Sequence, residues 1–491
     1  MDFMNIFSLL GAAEAPKPLF DQFLDWGNGL LWGSVLIYLL VGAGLYFTVR
    51  TGAAQLRLLG HAWQAVMGSR DSGPTADGGR GGITSFQAFA TGLASRVGTG
   101  NIAGVAIAIS LGGPGAVFWM WMTALLGMST ALIEASLAQA YKVPDEAHGF
   151  RGGPAYYIRQ GLGQGWMGSL FAVFLIIAFG LVFNAVQSNS IVAALSGYGF
   201  GALPVGLVLA LLTAPIIFGG IKRVSRVAEV VVPIMAVLYL LIALFVILTN
   251  LSELPGMFSS IFQGAFGLQA AAGGVAGGIA AALLNGVKRG LFSNEAGMGS
   301  APNAAAAASV NHPVQQGLVQ MLGVFVDTIL VCTATAAIIL LSGVHLGGTE
   351  TGVQLTQAAL TEHVGAWGDD FLALAIFLFA FTSIIGNYAY AESNVQYLSR
   401  SRTLLNLFRL LVLGMVVFGA LRDVPTVWNM ADLSMGLMAI TNLVALLLLS
   451  PVALRLLKDY DRQRRAGVAE PVFDRRADPE LDRRLPDDIW K

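Results

Sequence analysis

The sequence predicts an all-α membrane protein of eleven transmembrane helices, in which one extra N-terminal helix precedes two inverted sets of five. Three observations lead there: the balance of apolar and charged residues, the number of long apolar runs, and two interrupted runs that match each other. Hydrophobic residues make up 55% of the 491 and charged residues only 12%, with a mean hydropathy of +0.69. A soluble chain carries roughly a quarter charged residues. The apolar runs approach the ~20 residues that a helix needs to cross a hydrocarbon core of ~30 Å. They are continuous, whereas a membrane β-barrel alternates apolar and polar residues in segments of about ten. The 60 glycines suit close packing between membrane helices.

The eleven runs are approximately 28–48, 84–111, 114–141, 167–195, 203–220, 228–250, 270–302, 314–342, 370–398, 403–421 and 431–457. Basic residues alternate along their connections. Arg50, Arg57, Arg70 and Arg80 follow the first run, Lys142, Arg151 and Arg159 the third, and Lys222, Arg223 and Arg226 the fifth. Arg400 and Arg402 follow the ninth, and Arg455, Lys458, Arg462, Arg464 and Arg465 the last. The other connections are nearly free of basic residues, and 343–369 carries Glu350, Glu362 and Asp369 instead. The positive-inside rule then puts the C-terminus in the cytoplasm and the N-terminus outside, in the inner membrane of the cell.

Four regions follow: 1–83 with the extra helix and a cytoplasmic loop, a first five-helix repeat over 84–250, a second over 251–457, and a tail over 458–491. The tail is rich in Arg and Asp and is expected to be solvated and largely disordered. In the 50–82 loop, Leu56, Leu59, Trp63 and Val66 suit a short interfacial helix, and a plain linker that is glycine-rich from Ser72 to Gly82 suits it as well. Met1 to Ala15 faintly resembles a signal peptide but lacks a basic start and a long apolar core, so no cleavage is expected. Cys332 is the one cysteine, so no disulfide forms within the chain.

Two of the runs contain what a simple membrane helix avoids. The second holds Ala94 to Gly104 (ASRVGTGNIAG) and the seventh Lys288 to Ser300 (KRGLFSNEAGMGS). Aligning Asn101 with Asn294 also pairs Arg96 with Arg289, Ala103 with Ala296 and Gly104 with Gly297. One run points outward and the other inward, which makes the repeat inverted. A lone Gly-Thr-Gly more often marks close packing, but two breaks at matching positions point to a transport site at the bilayer midplane. Unwound backbone is tolerated there only where it lines a polar cavity. Its freed carbonyls suit a small cation and half-helix N-termini suit a carboxylate, a pairing that fits an amino-acid zwitterion with sodium.

These stretches resemble a known family. Thr91 to Val105 (TGLASRVGTGNIAGV), Gly112 to Trp121, Gly127-Met128 with Glu134, and Ser293 to Pro302 (SNEAGMGSAP) are similar to the hallmarks of the alanine or glycine:cation symporters, across about residues 25–460. The resemblance implies the LeuT-type fold, sodium as coupling ion and a small neutral amino acid as substrate. It implies substrate contacts from Thr99, Gly100 and Asn101 in the first break, with Ser293, Asn294 and Gly297 in the second. It also implies a sodium ion held by the hydroxyls of Thr382 and Ser383 and by carbonyls of Ala94, Val97 and Phe379. Serine and threonine pairs also occur in membrane helices merely bonded to the preceding turn. One departure matters: where many members carry an indole, this chain reads Ile385-Gly-Asn-Tyr-Ala-Tyr-Ala-Glu392. An Asn387 side chain facing the pocket makes the site larger and more polar, so serine or glutamine joins alanine and glycine as a candidate substrate.

Asn184, Gln187 and Ser188 share a helical face, where Asn184 and Gln187 serve either the substrate or interhelical hydrogen bonds. Charged residues at membrane depth need a cavity or a partner; Arg96 and Arg289 are expected to brace the breaks by pairing with Glu295, Glu134 or Asp327. There is no Walker motif and no zinc-type Cys/His spacing, so transport must draw on an ion gradient, and neither an enzyme nor a nucleic-acid partner is expected. One coupled charge at ~100 mV supplies about 2.3 kcal/mol, roughly fifty-fold accumulation. The alternatives are proton coupling through Glu134, Asp327 or Glu295 and, further off, an ion channel, which calls for a symmetric oligomer and pore-lining rings. The oligomeric state is open.

Overall fold

Long apolar runs without internal breakers have one way to satisfy their backbone in lipid, which is to form helices and bury their small and polar faces against each other. The computed structural model describes residues 18–68, 81–145, 149–267, 276–344, 346, 351–486 and 489–490. In chain order the main helices are α1 (Leu19–Arg50), α2 (Ser85–Arg96), α3 (Gly100–Gly112), α4 (Gly115–Ala140), α5 (Gly165–Tyr198), α6 (Ala202–Ile217) and α7 (Gly220–Thr249). They continue as α8 (Ala276–Asn294), α9 (Pro302–Ala306), α10 (Pro313–Leu341), α11 (Trp367–Leu398), α12 (Arg402–Ala420) and α13 (Val424–Arg465).

Among the described residues, eight helices are long and apolar enough to cross a membrane, and nine when the bent pair α2–α3 counts as one span. The protein is a multi-pass helical membrane protein. Of the other expected segments, 203–220 forms the 16-residue α6; in 270–302, residues 270–275 lie outside the described residues and the rest forms α8 and a non-helical stretch that leads into α9. The first and last segments run longer than expected, because α1 begins at Leu19 and α13 continues to Arg465 through polar turns that an apolar run does not include.

α4 packs against α8, α10 and α1, while α11 packs against α2, α5 and α7. The outer faces stay apolar: Leu211, Leu238 and Leu410 are exposed, as a lipid-facing surface requires. A small antiparallel hairpin, β1 (Val143–Asp145) and β2 (Gly149–Arg151), joins α4 to a short helix at Pro154–Gly161. In the 50–82 loop, helices form at Ala54–Arg57 and Leu59–Met67, burying Ala62 and Val66 and leaving Trp63 and Leu56 exposed. The Met1 to Ala15 reading, the glycine-rich stretch from Ser72 to Arg80, and Glu350 lie outside the described residues.

The expected disordered tail is corrected. α13 runs through Arg465, the chain turns at Gly467, and Phe473, Leu481, Leu485, Ile489 and Trp490 are buried against the bundle. The Phe473 amide donates to Asn311 O at 3.0 Å, and the Trp490 indole donates to Gln139 O at 3.3 Å. Fully buried Lys142 donates to Ala308 O and sits between the rings of Phe150 (3.9 Å) and Trp490 (5.1 Å). Composition misled because the tail's charges pair locally, as in Arg475–Asp482 and Arg484–Glu480, while Phe473, Leu481, Leu485, Ile489 and Trp490 reach the core even though Val468 and Val472 stay exposed.

Candidate functional site

Each break has a local cause. α2 starts with a capping box between Thr84 and Gln87 and ends where Val97 turns to ψ 84°; α3 leaves at an angle of 51°. Its first turn, Gly100–Gly104, is π-helical, a form often found at functional sites. The Asn101 amide oxygen accepts from the Gly98 N–H at 2.9 Å, so the side chain satisfies a donor that the break frees. In the second break, α8 stops at Asn294, whose Oδ1 accepts from the Ala296 N–H at 3.0 Å. Glu295 then takes φ 58°, a left-handed conformation rare for a residue with a side chain, followed by Gly297 and Gly299 at φ 86° and 85°.

The two breaks touch. A side chain at Gly100 would meet Phe292 Cδ1 at 2.9 Å and Ser293 Cα at 3.1 Å, so only glycine permits this approach. Asn101 Nδ2 donates to Asp327 Oδ1 at 2.7 Å, and Ser293 and Thr328 donate their hydroxyls to Asp327 Oδ2 at 2.8 and 2.7 Å. Asp327 lies in a second π-helical stretch, Phe325–Cys332 of α10. A third, Ile176–Val182 of α5, ends beside Asn184, whose amide donates back to Gly180 O at 3.0 Å.

The expected sodium ligands divide. Ser383 Oγ lies 2.9 Å from both Ala94 O and Phe379 O, so α11 is fastened to the first break. Val97 is one turn beyond Ala94 and fully buried. The Thr382 hydroxyl instead turns back to Leu378 O and Phe379 O at 3.0 Å, and faces Met235 Sδ of α7. At Gly98 a Cβ would stand 2.2 Å from Ser383 Oγ and 3.0 Å from Gln187 Oε1, so the break admits no side chain here.

The expected substrate residues divide as well. Gln187 Oε1 accepts from the Thr99 N–H at 3.1 Å. The Thr99 hydroxyl and Asn294 Nδ2 are buried without a hydrogen-bond partner among the described residues, a condition that costs about 1–3 kcal/mol per group. Asn387 spends both ends of its amide on the protein: Nδ2 donates to Asn184 Oδ1 at 3.1 Å, and Oδ1 lies 2.7 Å from Ser95 Oγ. Ser95 Oγ is also 2.5 Å from Glu295 Oε1, and the Ser300 hydroxyl donates to Glu295 Oε2 at 2.6 Å. Gly297 is taken up elsewhere, its N–H donating to Glu134 Oε1 at 3.2 Å. Asn442 joins Glu134 Oε2 and Gly297 O, and is held in turn by Tyr157. Ser188 leaves the shared face and donates to Val416 O of α12.

The pairing expected of the two arginines is corrected. Arg289 pairs with Asp432 of α13 at 2.5 Å, with Lys288 3.4 Å from the same carboxylate and the Trp428 ring beneath the guanidinium. Arg289 reaches Asp432 and the Trp428 ring of α13, while the carboxylates are taken up by other donors: Glu134 by Gly297 and Asn442, Glu295 by Ser95 and Ser300, and Asp327 by Asn101, Ser293 and Thr328. Arg96 sits among those three, close enough to act on Glu134, Glu295 and Asp327 electrostatically, and donates directly to Gln320 O at 3.3 Å. Asp432, Asn442, Ser95 and Tyr157 were missed. Asp432 alone had a signal, a carboxylate at the edge of an apolar run; the others are ordinary polar residues whose role depends on which helices meet.

A bundle of apolar helices with two broken elements touching above buried carboxylates defines a membrane transporter rather than a soluble or structural protein. The chain belongs to the sodium:alanine symporter family, whose pattern matches residues 17–475. It is 50% identical over 458 residues to the amino-acid carrier protein AlsT of Bacillus subtilis, covering 93% of this chain and 95% of that one. It is also 50% identical over 458 residues to a probable sodium/glutamine symporter of the same organism, GlnT, covering 93% and 94%. The fold matches the crystal structure of MhsT in complex with L-phenylalanine, with a TM-score of 0.51, 14% identity, and coverage of 76% of this chain and 97% of that one.

Proposed function

We propose that the protein carries a small neutral amino acid into the cell with sodium, by alternating access, through eleven spans built as two inverted sets of five behind one added helix. The N-terminus lies outside and the C-terminus in the cytoplasm of a cell whose inner membrane holds the protein. The observation that carries the reading is the 2.9 Å contact of Ser383 Oγ with Ala94 O. It joins a hydroxyl of α11 to a carbonyl beside the first break, the kind of hard oxygen donors that sodium prefers. Val97 and Phe379 carbonyls complete the set, with Thr382 swinging in from its own helix.

The substrate binds against Thr99, Gly100 and Asn101 on one side and Ser293 and Asn294 on the other, satisfying the free Thr99 hydroxyl and Asn294 amide nitrogen. Gln187, Asn184 and Asn387 form the polar wall beside it, and Gly297 braces the second break. Alanine fits the family description and glycine is its smaller analogue; glutamine fits the description of GlnT, and serine or glutamine fits the polar wall. The test is uptake of labelled alanine into proteoliposomes with and without an inward sodium gradient, competed by glycine, serine and glutamine. Uptake that ignores sodium overturns the coupling; no uptake of any of the four overturns the substrate class.

A second reading has one observation in its favour. Asp327 is fully buried and accepts from Asn101, Ser293 and Thr328, so a carboxylate that can take a proton stands where the two breaks meet. In that reading a proton on Asp327, Glu295 or Glu134 is the coupled charge, and a pH gradient alone drives uptake.

A further inference from the structure

Where α1 ends, its last turn and the last turns of α13 flank an open cavity of about 570 Å³. Its α13 wall is Leu454, Leu457, Lys458, Asp461, Arg462 and Arg465. This spacing of three and four residues puts them on one helical face. Along that face the character changes once, from two leucines to three cations. Arg50 closes the opposite side, and Tyr46 above it lies 3.2 Å from both Arg50 Nη1 and Ser450 Oγ, which locks α1 to α13 at the apolar end.

The charge is not spent within the protein. Asp461 is held by Arg57 at 2.8 Å, and Arg462 pairs with Asp459. Arg50, Lys458 and Arg465 are exposed and form no ion pair among the described residues. Basic residues on other faces of the same turns are committed to the tail, Arg455 to Asp478 at 3.1 Å and Arg464 to Ala469 O at 3.3 Å. A preference for basic residues at this end accounts for their number. It does not account for two open cations of α13, Lys458 and Arg465, facing a third, Arg50 of α1, across one cavity beside two leucines. α13 has 42 residues, about 63 Å at 1.5 Å per residue, so these turns extend past a ~30 Å hydrocarbon core into the headgroup layer. In the neighbouring turns, Leu45 and Val49 of α1 and Leu448 of α13 are exposed apolar residues.

We propose that this cavity is a binding site for an anionic phospholipid, whose phosphate sits among Arg50, Lys458 and Arg465 and whose acyl chain starts over Leu454 and Leu457. Basic pockets between helix ends suit such headgroups. A phosphatidylcholine lacks the net charge, and a free phosphate lacks the chain that the leucines contact.

The test uses purified full-length protein in detergent, titrated with phosphatidylglycerol, phosphatidylcholine or inorganic phosphate, and read by native mass spectrometry and thermal unfolding; no transport is needed. Phosphatidylglycerol should bind and raise the unfolding temperature where the other two do not. The variant R50Q/K458Q/R465Q should bind it roughly tenfold more weakly. K222Q/R400Q/R402Q, which removes the same charge from exposed sites elsewhere, should bind it as wild type does. Equal losses in both variants, or equal protection by phosphatidylcholine or phosphate, would overturn the proposal. If the triple variant does not fold, K458Q takes its place, and an affinity unchanged in K458Q counts against the site.

Discussion

Asn101 Nδ2 stands 2.7 Å from Asp327 Oδ1 and 3.1 Å from the Asp327 carbonyl oxygen, so a single amide fastens the first break to the widened turn of α10. Asp327 accepts from three side chains and donates to none. In Asp327→Asn a second amide nitrogen faces those donors, and at least one bond to the carboxylate, worth about 1.5–3 kcal/mol, is lost. Uptake should fall at least tenfold while the protein stays folded in detergent. Wild-type uptake in this variant would remove Asp327 from the proton-coupling scheme.

Ser383 and Thr382 are adjacent, yet only Ser383 reaches the first break. Ser383→Ala should raise the sodium concentration for half-maximal uptake about tenfold, and Thr382→Ala by much less. The double variant should need at least as much sodium as Ser383→Ala. The check is the sodium dependence of initial rates, and an unchanged requirement in the double variant sinks the assignment of both hydroxyls.

Gly98→Ala places a methyl 2.2 Å from Ser383 Oγ, far inside contact distance. It should abolish uptake, and Gly98→Ala with Ser383→Ala should regain protein yield without regaining sodium-dependent uptake. Yield measured by fluorescence size exclusion separates the steric effect from the functional one.

Asp432 neutralises Arg289 and Lys288 together. Asp432→Asn leaves the buried Arg289 and the partly buried Lys288 without a carboxylate, and such a loss costs about 3–5 kcal/mol. The variant should unfold well below wild type in a thermal scan, and adding Arg289→Gln should recover part of the difference. No recovery would mean that Asp432 acts through some contact other than this pair.

Trp490 covers Lys142 and bonds to Gln139 O. Trp490→Ala should destabilise the protein by about 3–5 kcal/mol, as for other buried aromatics. It should also let protease cut after the arginines of the tail, which limited digestion reads directly. A digestion pattern identical to wild type would show that the tail stays docked without its indole.

Several site features were legible residue by residue. The paired interruptions at Asn101 and Asn294 announced both breaks, and of the residues the resemblance pointed to, Ser383 Oγ lies beside Ala94 O across helices while Thr382 turns back to its own helix. Partners across helices were not legible. That Arg289 turns to Asp432, that Asn387 spends its amide on Asn184 and Ser95, and that Gly297 is held by Glu134 all depend on helix rotation. A chain apolar on most faces leaves rotation almost unmarked in its periodicity. The tail was misjudged for a related reason, since Phe473 and Trp490 are too few and too widely spaced to form a periodic signal.

By itself the sequence determined that the chain lives in a bilayer, because apolar length and charge scarcity are properties of composition, and where its helices break, because glycine and asparagine act on their own turn. The tertiary structure decided which polar groups meet. In a low-dielectric interior an unpaired buried donor or acceptor is costly, and here the partners come from distant parts of the chain, 226 residues away for Asn101 and Asp327 and 289 for Ala94 and Ser383.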